Sequence, residues 1–558
     1  MLPFILQSYV DMPAPLWFDN WLSFWLVLVI ALVNGIMMLF VGYKFLQILQ
    51  LSGYKLKGYF EWLRATKARY IGRLAILSFL STAALLVTNV LLEQFFVFKI
   101  LTYLGLVFYF LFSTIFIFNM YNAPQKVPLK YTHRMNRLCV VLFVVVSVFT
   151  FLIMSVSTKF IPYLEHGALG LTPLFLPLFV IIAHFITAPF EHLNSLRYIK
   201  KAKNKLQAKH KDVVVIGVTG SYGKTTVKNI LTTMLSEKFV VCATPYSYNT
   251  PLGLSKTILE NLSDNTEIFV AEMGAKYVGD IKYLCEMARP NIGIITGIGN
   301  QHLATFGSQE NLINTKKEML DNLVPGGKAY INVDSKYASD LYNTVKGNKF
   351  KAGIEISDGR VVAKNIRSVN TGSEFDLEID GNAIHCETTL LGKHNISNIL
   401  ICALVAYDLG VSLEQIKEAI SKLVTPAHRL AIVPSSNSLV VIDDAYNGNV
   451  EGCKAALEVI KTFSGKKIVV TPGLVELGKD EYSSNKQFGI DLAGVADYVI
   501  IDGVVNYPAI SEGLQEAGFD MEQCLRAGNL RQAVEVLNTF AKPGDVVLFE
   551  NDLPDNYT

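Results

Sequence analysis

Five predominantly apolar runs dominate the first third of the chain, at about residues 21–43, 74–92, 96–120, 138–157 and 168–190. Each reaches the length of roughly 20 residues that a helix needs to cross the hydrocarbon of a bilayer. In so nonpolar a setting every backbone amide must find its partner within the segment, so helices are expected. The mean hydropathy of +0.34 and the 33 phenylalanines reflect this first third. The expected fold class is therefore a membrane α-helical bundle of about five spans, followed by α/β structure. Residues 1–20 lack a basic start and carry Asp11 and Asp19, which does not read as a cleavable signal peptide.

The charged loops give the orientation. Lys55, Lys57, Arg64, Lys67 and Arg69 lie between runs one and two, and Lys126, Lys130, Arg134 and Arg137 between three and four. Arg197, Lys200, Lys201, Lys203, Lys205, Lys209 and Lys211 follow run five, while the other loops carry only Lys99 and Lys159. Positive-inside logic puts the N-terminus outside and the C-terminal two-thirds of the chain in the cytoplasm. The basic stretch at 193–211 reads either as a solvated linker or as a segment resting on anionic headgroups. No chain of ionisable residues within the runs suggests a transport path.

At 558 residues more than one core is needed. The expected division is a transmembrane region 1–192, a basic juxtamembrane linker 193–211, a central domain 212–425 and a last domain 426–558. A net charge of +2 gives no electrostatic case for nucleic acid, and none is expected as a partner. The seven cysteines are scattered singly without a C-x-x-C pair, which fits reduced core residues in a reducing compartment.

Past the linker, Val213 to Ile216 form a β-branched run, then Gly220, Ser221, Tyr222 and Gly223 form a tight turn, and a helical pattern opens at Thr225. A strand, glycine turn and helix in this order cradle a nucleoside triphosphate, because glycine lets backbone amides approach phosphates at a helix N-terminus. Lys224 would reach the β/γ-phosphates and the Thr225 hydroxyl would hold magnesium. The general pattern is not fully met, since Val218 stands where its first glycine would be. A strand over 267–272 ending in Glu272, and a second over 293–299 leading to His302, place a carboxylate and an imidazole at strand C-termini, where α/β sheets bind ligands. Both suit magnesium.

These stretches resemble the Mur ligases, ATP-dependent amide ligases of cell-wall precursor synthesis. The resemblance runs through Thr219-Gly-Ser-Tyr-Gly-Lys-Thr-Thr226, Asn249-Thr-Pro-Leu-Gly253, Glu272-Met-Gly274, Thr296-Gly-Ile-Gly-Asn-Gln-His302, Phe306-Gly-Ser308 and Lys316-Lys-Glu318. It continues with Gly392-Lys-His-Asn-Ile-Ser-Asn398, His428-Arg429 and Asp443-Asp-Ala-Tyr-Asn-Gly-Asn449, in the family's order. The Asp-Asp-x-Tyr-Asn element most resembles the branch that adds D-alanyl-D-alanine to a UDP-muramoyl tripeptide.

The resemblance implies a P-loop central ATPase domain and a smaller Rossmann-like C-terminal domain. It implies that Thr219, Gly220, Ser221, Tyr222, Gly223, Lys224, Thr225 and Thr226 bind ATP, with Asn395 and Asn398 on the adenosine and Arg429 and Asp444 closing over it. Lys224, Glu272, His302 and Lys316 would be catalytic. Thr225, Glu272, His302 and a carbon dioxide-derived carbamate on Lys316 would hold Mg2+. Asn249, Thr250, Tyr446, Asn447 and Asn449 would meet substrate. The partners implied are a cell-wall peptide precursor and an amino acid or dipeptide, with the lipid bilayer as support, in the cytoplasmic membrane of a bacterium.

In the last domain, Lys467-Ile-Val-Val470, Tyr498-Val-Ile-Ile501 and Asp545-Val-Val-Leu-Phe549 read as buried strands and 450–463 as a helix, without G-x-G-x-x-G. Two features depart from the family. Its UDP-sugar domain has no visible counterpart, and Phe549-Glu-Asn-Asp-Leu-Pro-Asp-Asn556 stands where the D-alanyl-D-alanine branch carries a Lys-Gly-Ser-Arg-like stretch. The acceptor is therefore open between a UDP-linked and a lipid-linked peptide. A poly-amino-acid ligase, as for poly-γ-glutamate, and a non-catalytic nucleotide-binding scaffold are the other readings.

Overall fold

The computed structural model describes residues 21–93, 104–121, 127–160, 164–209, 212–299, 306–354, 356, 358–369, 372–425, 429–433, 439–445, 450–475, 477 and 480–551. The chain divides into two compact units, one up to Asn194 and one from Ser195.

In the first unit the helices are Trp21–Val41, Tyr43–Leu51, Leu56–Glu93, Leu104–Tyr121, His133–Phe160 and the start of Leu164–Lys209. Four carry windows long and apolar enough to cross a membrane: Phe24–Val41, Tyr70–Val87, His133–Ser155 and Leu169–Ala208. Of the expected third run, residues 96–103 lie outside the described residues, and an apolar helix covers Leu104–Asn119. The basic stretch after run five also differs from the expected linker. It is helical and continuous with that run, as Leu164–Lys209, even though Pro173, Pro177 and Pro189 lie inside the helix.

The interior of this unit holds Phe45, Tyr59, Leu74 and Tyr109. One buried polar group ties three helices together: Asn34 donates to Thr150 Oγ1 at 2.9 Å and accepts from the Tyr109 hydroxyl at 2.5 Å. Arg137 clasps Glu191 with two hydrogen bonds of 2.6 and 3.0 Å. The outward faces carry large apolar side chains, among them Phe79, Phe118 and Phe190, each about two-thirds exposed or more.

The second unit is built on two parallel sheets. Strands β1 (Val214–Thr219), β2 (Val241–Ala243), β3 (Ile268–Glu272), β4 (Ile292–Ile295), β5 (Lys328–Asn332) and β6 (Lys349–Ala352) form the first, in the order β2-β3-β1-β4-β5-β6. All its pairings are parallel. Apart from Val214 at its start, the residues of β1 are fully buried, which a Val/Ile run suits when helices cover both faces. β1 is flanked by β3 and β4, so the chain reverses its winding direction there. That is the switch point at which α/β sheets open a crevice at the strand C-termini.

Helix Lys224–Ser236 packs on this sheet and against helix Lys393–Asp408, joining Ile230 and Leu231 to Ile396, Ile399 and Leu400 in one core. On the opposite face, Ile199, Ala202 and Leu206 of the long helix join Leu254 and Ile258. There Lys205 Nζ donates to the carbonyls of Leu259 and Leu262 at 3.2 and 2.9 Å, beyond the end of helix Pro251–Glu260 and in its last turn.

Between the two sheets the chain forms an antiparallel three-stranded sheet, β7 (Val361–Val369), β8 (Gly372–Ile379) and β9 (Asn382–Thr388). The last sheet contains β10 (Ala431–Val433), β11 (Val440–Asp444), β12 (Lys467–Thr471), β13 (Tyr498–Asp502), β14 (Cys524–Ala527) and β15 (Val546–Glu550). Its order is β10-β11-β15-β12-β13-β14, and only β10 runs antiparallel to its neighbour. All seven cysteines are thiols, five of them buried.

Leu400 is fully buried where the two helices meet. Leu400→Ala should cost about 2–5 kcal/mol, read as a lowered thermal midpoint of the second unit in the detergent-solubilised chain.

Candidate functional site

The loop after β1 is built for close approach. Gly223 has φ +77° and starts helix Lys224–Ser236, a left-handed conformation that a side chain would strain. A Cβ on Gly220 would fall 2.1 Å from Thr296 Oγ1, so only glycine fits. The loop is stitched to the segment after β4: Ser221 N donates to Gly297 O at 2.7 Å, Ser221 Oγ to Gly299 O at 3.2 Å, and Thr296 Oγ1 to Tyr222 O. Lys224 Nζ folds back on the carbonyls of Gly220 and Ser221, at 2.8 and 3.0 Å. Burial lowers its amine to about 8, Glu272 works against that shift and Arg429 adds to it. Val218, at the unconventional position, is a fully buried strand residue whose carbonyl accepts from Met273 N at 2.8 Å. The first glycine of the general pattern is dispensable here because that residue belongs to the sheet.

Glu272 ends β3 directly opposite Val218 of β1. It is buried; its Oε1 accepts from Asn249 Nδ2 at 3.1 Å and its amide donates to Thr244 Oγ1 at 3.1 Å. Oε2 accepts no hydrogen bond, and the ammonium of Lys228 stands 3.3 Å from it. A buried carboxylate oxygen left without a hydrogen bond, next to a phosphate loop, fits a hard divalent cation that takes its remaining ligands from phosphate and water.

Lys316, in helix Gln309–Asp321, is buried. Burial, reinforced by Lys224, brings its amine down to about 7, while Asp280 and Glu318 pull the other way. A lysine with that value is largely neutral at pH 7.5, the form that reacts with carbon dioxide.

Asn249 and Thr250 do structural work in the site. Asn249 holds Glu272, and its carbonyl accepts from Gly274 N at 2.9 Å. Thr250 caps helix Pro251–Glu260, accepting from Gly253 N at 3.3 Å. His302, Tyr446, Asn447 and Asn449 lie outside the described residues.

Beside the loop opens a cavity of about 240 Å³, lined by Tyr222, Gly223 and Thr226 on one side and by Asn395, Asn398, Arg429 and Asp444 on the others. The four polar residues expected around the adenosine thus meet at one cavity. The Asn395 amide group is itself anchored, donating to Leu391 O at 2.8 Å. Asp444 accepts from Leu430 N at 3.0 Å, and burial raises its carboxyl to about 6 against the pull of that amide and of Arg429. Thr219 is buried, Ser221 nearly so, and Thr225 half-buried at the helix start.

Several lining residues escaped the sequence reading. Asn332 ends β5 and Asp334 and Ser335 follow it, and Asn332 Nδ2 donates to Ser397 Oγ at 2.6 Å. Their position at a strand C-terminus was the available signal. His394 sits within the Gly392–Asn398 motif and lines the cavity with an exposed side chain. Lys228 was missed although it lies four residues, one turn, after Lys224.

Glu550, in the acidic stretch that departs from the family, is fully buried rather than offered to a substrate. It neighbours Asp444 in the sheet and accepts from Cys453 Sγ at 2.9 Å, and its carboxyl is held well above the usual range by burial and by Asp444.

The parallel sheet, its phosphate loop at the switch point and the lined cavity define a P-loop nucleotide-binding α/β protein with a second, Rossmann-like domain. Residues 218–406 match the Mur ligase middle domain and residues 428–550 the Mur ligase glutamate ligase domain. Over these residues the chain belongs to the Mur ligase family.

It is 32% identical over 278 residues to the UDP-N-acetylmuramoyl-tripeptide–D-alanyl-D-alanine ligase of Buchnera aphidicola, covering 50% of this chain and 60% of that protein. The ligase of the same name from Bacillus subtilis is 28% identical over 341 residues, covering 60% and 72%. Among solved structures, the MurF ligase of Thermotoga maritima in complex with ADP is similar with a TM-score of 0.58 and 28% identity, covering 64% of this chain and 80% of that one.

Gly220→Ala should weaken nucleotide binding by at least about tenfold by pushing Thr296 and the loop apart, measured by titration with a fluorescent ATP analogue.

Proposed function

We propose that the chain is a membrane-anchored, ATP-dependent amide ligase acting on a peptidoglycan peptide precursor, with its catalytic domains in the cytoplasm of a bacterium. The observation that carries the reading is the meeting of Lys224, the buried Glu272 and the buried Lys316 around one phosphate loop.

An oxygen of the substrate carboxylate attacks the γ-phosphorus of ATP, the bond to the β-phosphate oxygen breaks, and ADP leaves with an acyl phosphate formed. The incoming amine then attacks the acyl carbon, loses a proton and expels inorganic phosphate, leaving an amide. Lys224 neutralises charge on the transferring group, and the loop amides hold the phosphates in line. Asn395, Asn398, Arg429 and Asp444 enclose the adenosine from both domains. Glu272 and Thr225, with His302 and a carbamate on Lys316, would hold Mg2+, which supplies further charge neutralisation at the phosphates. The neutral amine of Lys316 forms the carbamate by adding to carbon dioxide and releasing a proton.

The relatives' names support D-alanyl-D-alanine as the amine and a muramoyl tripeptide as the acyl donor. The membrane assignment is supported by the four long apolar helices and by their exposed phenylalanines, an inversion of the usual soluble surface. Orientation rests on the basic loops.

The test is ADP release by detergent-purified protein given D-alanyl-D-alanine with either UDP-muramoyl tripeptide or its lipid-linked equivalent, with mass spectrometry of the product. Turnover on either supports the reading, and turnover only on the lipid form makes the apolar helices part of the substrate site. Silence on both, with ADP release on a single repeatedly added amino acid, would replace it with the poly-amino-acid reading.

Lys316→Ala should lower turnover by about 100-fold or more, as loss of a group acting in the transition state does. Carbon dioxide depletion should slow the wild-type enzyme. Added bicarbonate should restore it better at pH 8 than at pH 6, because the amine is neutral above about 7. Equal rates with and without bicarbonate at both pH values would reject the carbamate.

A further inference from the structure

Lys228 lies in the phosphate-loop helix, one turn after Lys224. It is 2% exposed, and its ammonium donates to the carbonyl of Tyr246 and stands 3.3 Å from Glu272 Oε2. Tyr246 is held at φ +48°, in the segment between β2 and Asn249, and Asn249 supplies the hydrogen bond to Glu272 Oε1. The carboxylate therefore faces an amide on one oxygen and a cation on the other. Lys224 also feels Glu272, so two lysines stand at this carboxylate, and Lys316 in turn feels Lys224.

We infer that Lys228 is a built-in counter-cation to Glu272, which makes the site take up a divalent cation only together with the phosphates of the nucleotide. The inference rests on the reading of Glu272 as a metal ligand. With Lys228 in place, Glu272 is already neutralised, and a bare divalent cation would meet additional positive charge from Lys224. Two unit charges a few ångströms apart in a partly buried site repel by several kcal/mol. A triphosphate reverses that balance, because its own negative charge accompanies the metal and Mg2+ is commonly held by one or two carboxylates plus substrate phosphates. Even with a carbamate on Lys316, the two lysines and two anions balance, whereas without Lys228 the set is net negative. A buried ion pair is a poor source of stability in itself, so setting the charge of the site accounts for this pair better than holding the fold does.

The test uses Mn2+ as probe on the full-length, detergent-solubilised protein, following the free Mn2+ signal by electron paramagnetic resonance. Nucleotide-free wild type should leave that signal unchanged at protein concentrations where Lys228→Met takes up one Mn2+ per chain, at least about tenfold more tightly. Lys228→Gln, which keeps a donor but no charge, should behave like Lys228→Met and serves if the latter does not fold. Lys228→Arg should behave like wild type.

Stoichiometric Mn2+ uptake by nucleotide-free wild type, or Lys228→Met and Lys228→Gln binding no more tightly than wild type, would overturn the inference. A lowered thermal midpoint in those variants with unmoved Mn2+ binding would do the same, leaving a structural pair. Failure of the underlying metal reading is distinct: Glu272→Gln would then bind Mn2+ with a non-hydrolysable ATP analogue as wild type does.

Discussion

A single buried carboxylate, Glu272, ties together the segments that surround the phosphate loop. It lies at the C-terminal end of β3, beside the strand that feeds the phosphate loop. Burying a carboxylate is tolerable only when donors and cations surround it. Here Asn249 and Lys228 meet the side chain, while Thr244 Oγ1 accepts from the residue's own amide. Those contacts draw in the segment after β2, the start of helix Pro251–Glu260 and the phosphate-loop helix.

The sheet order explains why the remaining parts arrive at the same place. Because β1 is flanked by β3 and β4, the loops after all three open at one edge, and the crevice between them accepts the phosphates. Helix Lys393–Asp408 then runs alongside the phosphate-loop helix and brings Asn395 and Asn398 to the cavity. Arg429 and Asp444 come from the beginning of the last domain, so the adenosine would be enclosed by two domains. Movement of one domain against the other is the natural way to admit and release such a ligand. Asp444 is held by an amide of the adjoining segment, and its partner in the sheet, Glu550, is buried beneath.

Parts of this arrangement were legible in the sequence because local signals and tertiary demands agree there. The β-branched run before Gly220 is a strand, Glu272 does end its strand, and β12, β13 and β15 lie within a residue or two of their apolar runs. The run over 293–299 stops being a strand at Ile295; beyond it the Thr296 hydroxyl and the Gly297 carbonyl bond the phosphate loop. The three-stranded sheet β7-β8-β9 was not anticipated, although Glu374-Phe-Asp-Leu-Glu-Ile379 of β8 alternates charged and apolar residues; β7 carries a less regular pattern and pairs with a register shift between Lys364 and Arg367. Thr250 caps helix Pro251–Glu260 and Asn249 braces Glu272, contacts that the motif alone does not reveal. Lys228 was hidden for the opposite reason: a lysine on a helix is ordinarily solvated, and only the fold reveals its burial against Glu272. The continuous helix Leu164–Lys209 shows that a string of lysines after an apolar run need not be a loop.

The central claim is that ATP is spent on activating a carboxylate, and isotope transfer tests it most directly. The acyl donor would be prepared with ¹⁸O in its terminal carboxyl group and incubated with ATP and the amine. Attack of that carboxylate on the γ-phosphorus followed by displacement at carbon must leave one labelled oxygen in the inorganic phosphate for each amide formed. Mass spectrometry of phosphate carrying a single ¹⁸O is the result this account predicts. Unlabelled phosphate accompanying amide formation, or ATP hydrolysis that proceeds equally well without the carboxylate, would contradict it.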